Sequence, residues 1–287
     1  MTGGAAGGGR PKASELKLRV ISALLLAPAV LAIVWLGGWF FAAGAALCSM
    51  ILLQEWTVIV RATRQRAAIV VAVVGIALML VASALSLTPL ALGLAFAFAA
   101  LLWVWGQVSG EAPVGWMGTG VLYAGLTGVA LIAFRLGSEG FVMILFLFAV
   151  VWATDILAYF VGRRLGGPKL WPRVSPKKTW SGALGGLAAA LVVGAAMGAL
   201  VGRVPVSLWI VSAGVLSVFS QAGDLLESAL KRHFGVKDSG HIIPGHGGVM
   251  DRVDGLTGAG VVGYLVAAVL AGSLVDPVGA VIALQGY

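Results

Sequence analysis

Charge is scarce in this chain. Asp, Glu, Lys and Arg make up 10% of its 287 residues, against about 25% in soluble domains. Cysteine is scarcer still: Cys48 stands alone, which excludes an intramolecular disulfide and any site built on paired thiolates. It lies in an apolar block and reads as a small packing residue. The three histidines, His233, His241 and His246, include no H-x-x-x-H pair, so zinc has no recognisable ligand set. There is no G-x-x-x-x-G-K-[ST] loop, which excludes a P-loop ATPase.

What is present is apolar. Hydrophobic residues reach 60% and the mean hydropathy is +1.02. Long, nearly uncharged blocks predict an all-α, polytopic integral membrane protein of about nine transmembrane helices, at 20–36, 39–59, 67–86, 89–106, 115–134, 140–161, 181–202, 206–230 and 255–275. The opening MTGGAAGGGRPKAS reads as a disordered Gly-rich tail (1–16), and the apolar run after Arg19 as a retained first helix and not a signal peptide. Residues 17–150 carry little chemistry and read as membrane scaffold, whereas 151–287 hold the clustered polar groups and read as the catalytic region. No internal repeat is evident, which weakens an inverted-repeat transporter reading.

The net charge of +8 does not point to nucleic acid, because the basic residues sit in short loops between apolar blocks. That distribution suits membrane topology and anionic headgroups. With a cytoplasmic N-terminus, 17 of the 19 Lys and Arg residues fall on the inner side, leaving only Arg135 and Arg203 outside. The polar stretch from Lys231 to Gly255 then faces the cytoplasm.

Three polar clusters could carry chemistry. In QAGDLLESALKR, Asp224, Glu227, Ser228 and Lys231 fall at i, i+3, i+4 and i+7, one stripe of a helix. Carboxylates at the end of an apolar helix must be paired, solvated or metal-bound; a Glu227–Lys231 ion pair accounts for the same spacing. In GHGGVMDRVDG, Asp251 and Asp254 share a face if the chain is helical there. Gly247 and Gly248 would let backbone N–H groups approach phosphate oxygens, although an ordinary loop explains the glycines too. His246 is a candidate for phosphate contact or proton transfer, whereas His233 reads as a surface or interfacial residue. In the third cluster Asp155 interrupts an apolar span. Beyond it Ser175, Lys177, Lys178 and Thr179 form a donor-rich loop, denser than topology alone requires. Carboxylates beside lysines and arginines favour Mg²⁺, a hard ion that shares its shell with substrate phosphates. The chemistry that needs both is phosphoryl or nucleotidyl transfer.

The stretch SALKRHFGVKDSGHIIPGHGGVMDRVD, Ser228–Asp254, resembles the signature of the phosphatidate cytidylyltransferases, or CDP-diacylglycerol synthases. DILAYFVGRRLG, SPKKTWSG and GDLLES support the likeness, which covers about residues 152–260. The resemblance implies a membrane enzyme of the bacterial-type inner membrane, with its active site facing the cytoplasm. It would make CDP-diacylglycerol and pyrophosphate from CTP and phosphatidate, depend on Mg²⁺, assemble as a homodimer and bind no nucleic acid. By position, it places the metal on Asp224, Asp251 and Asp254; Glu227 is a further metal candidate from its place on the α-helical stripe. Phosphate-binding groups would lie among Lys177, Lys178, Lys231, Arg232, Lys237 and Arg252, with Ser228, Asp238, Gly247, Gly248 and Asp155 also at the substrate. Many members carry Glu where this chain has Ser181, so no ligand role of that Glu passes to it. The alternatives are a CTP-dependent polyprenol or lipid kinase and, from another class, an anion transporter using Asp155 and Asp224. The D-G-x-x-A-R motif of CDP-alcohol phosphotransferases is not found.

Overall fold

In the bilayer core no water is available to satisfy backbone N–H and C=O groups, so an apolar chain must cross it as helices. The computed structural model describes residues 12–202, 204–240, 242 and 247–284, with side chains from Leu24 onward. Its helices are α1 (Lys12–Leu36), α2 (Gly38–Ile59), α3 (Arg66–Ala84), α4 (Thr88–Ser109), α5 (Ala112–Leu136) and α6 (Gly140–Leu165), then α7 (Trp180–Val201), α8 (Val206–His233), α9 (Met250–Ala271) and the short α10 (Pro277–Leu284). Among the described residues eight helices, α2 to α9, are long and apolar enough to cross a bilayer. The first expected span falls on α1, whose described apolar part is Leu24–Leu36. Sequence patterning ended the last span at 275; instead α9 stops at Ala271 and α10 packs back against it.

Helix α5 is the hub of the first half. It packs against α2, α3 and α4, touches α6 and α9, and is buried along most of its length. Large apolar side chains such as Trp35, Trp39, Phe40, Val108, Leu200 and Val269 point outward, as a surface facing lipid requires. In the second half α6 packs on α7, α7 on α8, and α8 on α9. Polar pairs stitch the interior: Thr154 Oγ1 lies 3.0 Å from Ser217 Oγ, Thr127 Oγ1 lies 3.2 Å from Thr257 Oγ1, and Trp56 Nε1 donates to the Trp116 carbonyl at 2.9 Å. Such bonds contribute roughly 0.6 kcal/mol each in membranes, so they set register more than they set stability.

The α8–α9 crossing is closer than side chains permit. A Cβ on Gly223 would sit 2.5 Å from the Asp254 carbonyl oxygen and 3.0 Å from Gly258 Cα. Both obstacles are backbone, so neither can move aside alone. Gly223→Ala is expected to force the helices apart at a cost of about 1–3 kcal/mol, read as a lower thermal midpoint in detergent. An unchanged midpoint would show that the crossing is not tight.

Between α6 and α7 the chain makes an antiparallel strand pair where the sequence suggested a loop. Strand β1 (Lys169–Trp171) pairs with β2 (Ser175–Thr179), Lys169 opposite Thr179 and Trp171 opposite Ser175, with an irregular register. Gly166 and Gly167, at φ 64° and 100°, turn the chain out of α6 in a conformation other residues rarely adopt. The Ser181 hydroxyl bonds the Gly166 carbonyl, and Thr179 Oγ1 accepts from Gly182 N at 3.1 Å as the N-cap of α7. The hairpin is thereby fixed over the ends of α6 and α8.

Candidate functional site

Short connections make successive helices antiparallel, so the C-terminal ends of α2, α6 and α8 lie at the same side of the bundle as the N-terminal ends of α5, α7 and α9. Three contacts demonstrate this: Arg61 Nη2 donates to the Phe234 carbonyl at 3.3 Å, Trp116 packs on His233 at 5.4 Å, and Glu55 meets the start of α9. Of the Lys and Arg residues whose side chains are described, all but Arg135 belong to this end or to the hairpin above it.

On α8 the i, i+3, i+4, i+7 stripe forms as its spacing predicts. Lys178, from β2, pairs with Asp224, and Ser228 Oγ approaches Asp224 Oδ1 at 3.4 Å. One turn further, Lys231 Nζ sits between two carboxylates, 2.7 Å from Glu227 Oε2 and 2.5 Å from Asp251 Oδ1. The Glu227 contact is ionic and not an aligned hydrogen bond: neither oxygen of this carboxylate, 1% exposed, has an aligned donor. Asp254 accepts from Gly255 N at 2.7 Å and feels the negative charges of Asp224, Glu227 and Asp155. Asp155, on α6, feels both Asp224 and Lys178. Four carboxylates from three helices thus share one electrostatic neighbourhood, with lysines at its edges.

Asp251 and Asp254 both lie in the first turns of α9, which begins five residues before the expected start of that span. Asp251 Oδ2 accepts from Ser239 N and Gly248 N, both at 3.1 Å, while its other oxygen takes Lys231. The Gly248 N–H, expected to face a phosphate oxygen, therefore donates to Asp251. Gly247 adopts φ 83° beside it.

Sequence reasoning missed Glu55. This α2 carboxylate is 2% exposed, and it accepts from Val249 N and Met250 N at 2.8 Å each and from Ser239 Oγ at 3.0 Å. It caps α9 from another helix, where N–H groups and the helix dipole favour an anion. The signal was available: a carboxylate inside an apolar span with no Lys or Arg three or four residues away on either side.

Of the remaining expected site residues, Lys177, Arg232, Lys237, Asp238 and Arg252 are exposed at the same end, and Ser175 and Ser228 are half-buried. Arg232 also closes α8, donating to the Val236 carbonyl at 3.1 Å. Thr179 is buried and occupied as a helix cap. His246 lies outside the described residues, and His233 is exposed against Trp116 and Phe234.

Among the described residues no three acidic or imidazole side chains close around one point as a ready metal cage. The donor set nonetheless suits a hard divalent cation. It is all carboxylate oxygen, it carries mutual repulsion that a cation would relieve, and Glu227 has oxygens without aligned donors. Carboxylates backed by fixed lysines at a membrane surface can bind and neutralise a polyphosphate.

Residues 17–270 match the profile of the cytidylyltransferase family. The phosphatidate cytidylyltransferases of Brucella abortus and Brucella suis are 46% identical to this chain over 271 residues, which is 90% of this chain and 95% of theirs. That of Staphylococcus saprophyticus is 53% identical over 119 residues, 41% of this chain and 45% of the relative.

Proposed function

The chain belongs to the cytidylyltransferase family, and on that premise we propose that it joins phosphatidate to the cytidylyl group of CTP, giving CDP-diacylglycerol and pyrophosphate. The observation that carries this reading is the gathering of Asp155, Asp224, Asp254, Glu227 and two lysines at one end of the apolar helices. A phosphate oxygen of phosphatidate attacks the α-phosphorus of CTP in line. The new P–O bond forms as the bond to the bridging oxygen of the β-phosphate breaks, and pyrophosphate leaves with that electron pair. A phosphate monoester has its second pKa near 6, so the nucleophile is already ionised at neutral pH and positioning matters more than base catalysis. His246 is left a secondary role.

Lys178 and Lys231 would hold the charge that develops on the α-phosphate and the departing pyrophosphate. The exposed Lys177, Arg232, Lys237 and Arg252 suit the remaining phosphates and the lipid headgroup. Mg²⁺ would be held by Asp224, Asp251 and Asp254, with Glu227 beside them. When bound, it would neutralise triphosphate charge and orient the leaving group. The bias of Lys and Arg supports a cytoplasmic position for the basic end of the bundle; the bacterial inner membrane and assembly as a homodimer belong to the same proposal.

The test is product analysis. Purified protein given CTP, Mg²⁺ and phosphatidate in mixed micelles is expected to release pyrophosphate and form a CDP-lipid, and Asp251→Asn to remove most of that activity. The loss is read beside the variant's thermal midpoint, because Asn also turns an NH₂ group toward Lys231 or toward Ser239 N and Gly248 N. CDP together with a newly phosphorylated lipid would instead indicate a kinase. Full activity in Asp251→Asn would remove Asp251 from the site.

A further inference from the structure

Two carboxylates, not one, organise the start of α9. Asp251 collects Lys231, Ser239 N and Gly248 N, and Glu55 collects Ser239 Oγ, Val249 N and Met250 N. Ser239 is the shared member, 3% exposed, with its amide on one carboxylate and its hydroxyl on the other. Around it there is no slack. A Cβ on Gly248 would stand within 2.8 Å of both Glu55 oxygens, and one on Gly240 would stand 2.8 Å from Glu55 Oε1. Glu55 sits on a helix of the first half of the chain, 184 residues away from Ser239. It links that half, through buried polar contacts, to the loop and first turn that carry Asp251.

We propose that Glu55 is a positioning residue for cytidylyl transfer: it caps α9 from α2 and fixes Ser239, so that Asp251 and Lys231 are presented to the triphosphate in one geometry. This rests on the function proposed above. The chemistry of the contact is specific to a carboxylate. All three of its partners donate and converge on two oxygens, whereas Gln would turn an NH₂ group toward either Val249 N–H or Met250 N–H, donor against donor. The displaced amide would move the first turn of α9, and displacements near 1 Å at a reacting centre cost on the order of 10²-fold in rate.

The experiment uses the full chain in mixed micelles. Glu55→Gln is expected to lower kcat by about 10- to 100-fold, leave KM for phosphatidate within about threefold, and speed amide exchange at residues 248–250. Glu55→Asp, which keeps both oxygens, is expected to recover part of the lost kcat. A residue needed only for folding would lower the yield of folded protein while the folded fraction kept wild-type kcat, and that result overturns the proposal, as does wild-type kcat in Glu55→Gln. Should Glu55→Gln fail to fold, Ser239→Ala removes one of the three donors with little change of volume. A lowered kcat at unchanged KM then supports the proposal, and wild-type kcat overturns it. Should the wild-type protein form no CDP-lipid, the functional reading fails by itself. Amide exchange at 248–250 still decides the role of Glu55: faster exchange in the variant supports the tether, and unchanged exchange overturns it.

Discussion

Asp224→Asn is expected to lower the rate of CDP-lipid formation by about 10²- to 10³-fold while moving the stability of the protein by less than about 1 kcal/mol. The two magnitudes separate because of where the residue sits. Its ion pair with Lys178 is partly open, the two side chains being 31% and 28% exposed. A pair so placed is screened and contributes little to folding. The same openness lets a cation and a polyphosphate reach the carboxylate. Asn keeps the shape and one oxygen but removes the charge that would bind Mg²⁺, so raising Mg²⁺ is expected to restore only part of the rate. Initial rates across a Mg²⁺ series, beside thermal midpoints of both proteins in one detergent, provide the check. A fall in stability as large as the fall in activity would make Asp224 a structural residue.

Much of this was legible in the sequence because hydrophobic patterning and helical spacing are local. The apolar blocks fall on α2 to α9, and the stripe Asp224, Glu227, Ser228, Lys231 needs nothing beyond the helical repeat to face one way. Two features were not legible, for different reasons. Strand β1 spans three residues and β2 contains Ser, Pro and two lysines, so neither offers an alternating apolar pattern; the pair exists because Thr179, Ser181 and the turn at Gly166 anchor both ends. Glu55 stands out as a charge in an apolar span, but its role was not legible, since its donors lie 184 to 195 residues away. Spacing also showed that Lys231 could meet Glu227, but not that Asp251 would reach the same ammonium from the next helix.

That shared ammonium carries the second large expectation. Lys231→Met is expected to destabilise the protein by about 3–5 kcal/mol, a substantial part of the roughly 5–15 kcal/mol that holds a typical domain folded. The lysine side chain is 10% exposed and lies 2.7 Å from Glu227 Oε2 and 2.5 Å from Asp251 Oδ1. Removing it leaves two adjacent carboxylates with their common cation gone. Asp251 keeps two backbone N–H donors, but Glu227 has no hydrogen-bond donor to fall back on, so most of the penalty falls on Glu227. Adding Glu227→Gln to Lys231→Met should therefore return most of the lost stability, a non-additive result of 2 kcal/mol or more on the usual scale of coupled neighbours, about 0.5–3 kcal/mol. Activity should not return with it, because the cation proposed to act on the triphosphate is still missing. Thermal midpoints of the two single variants and the double variant, together with pyrophosphate release from each, test both halves. Strict additivity would show that Lys231 and Glu227 do not depend on one another, and recovery of activity in the double variant would remove Lys231 from the chemistry.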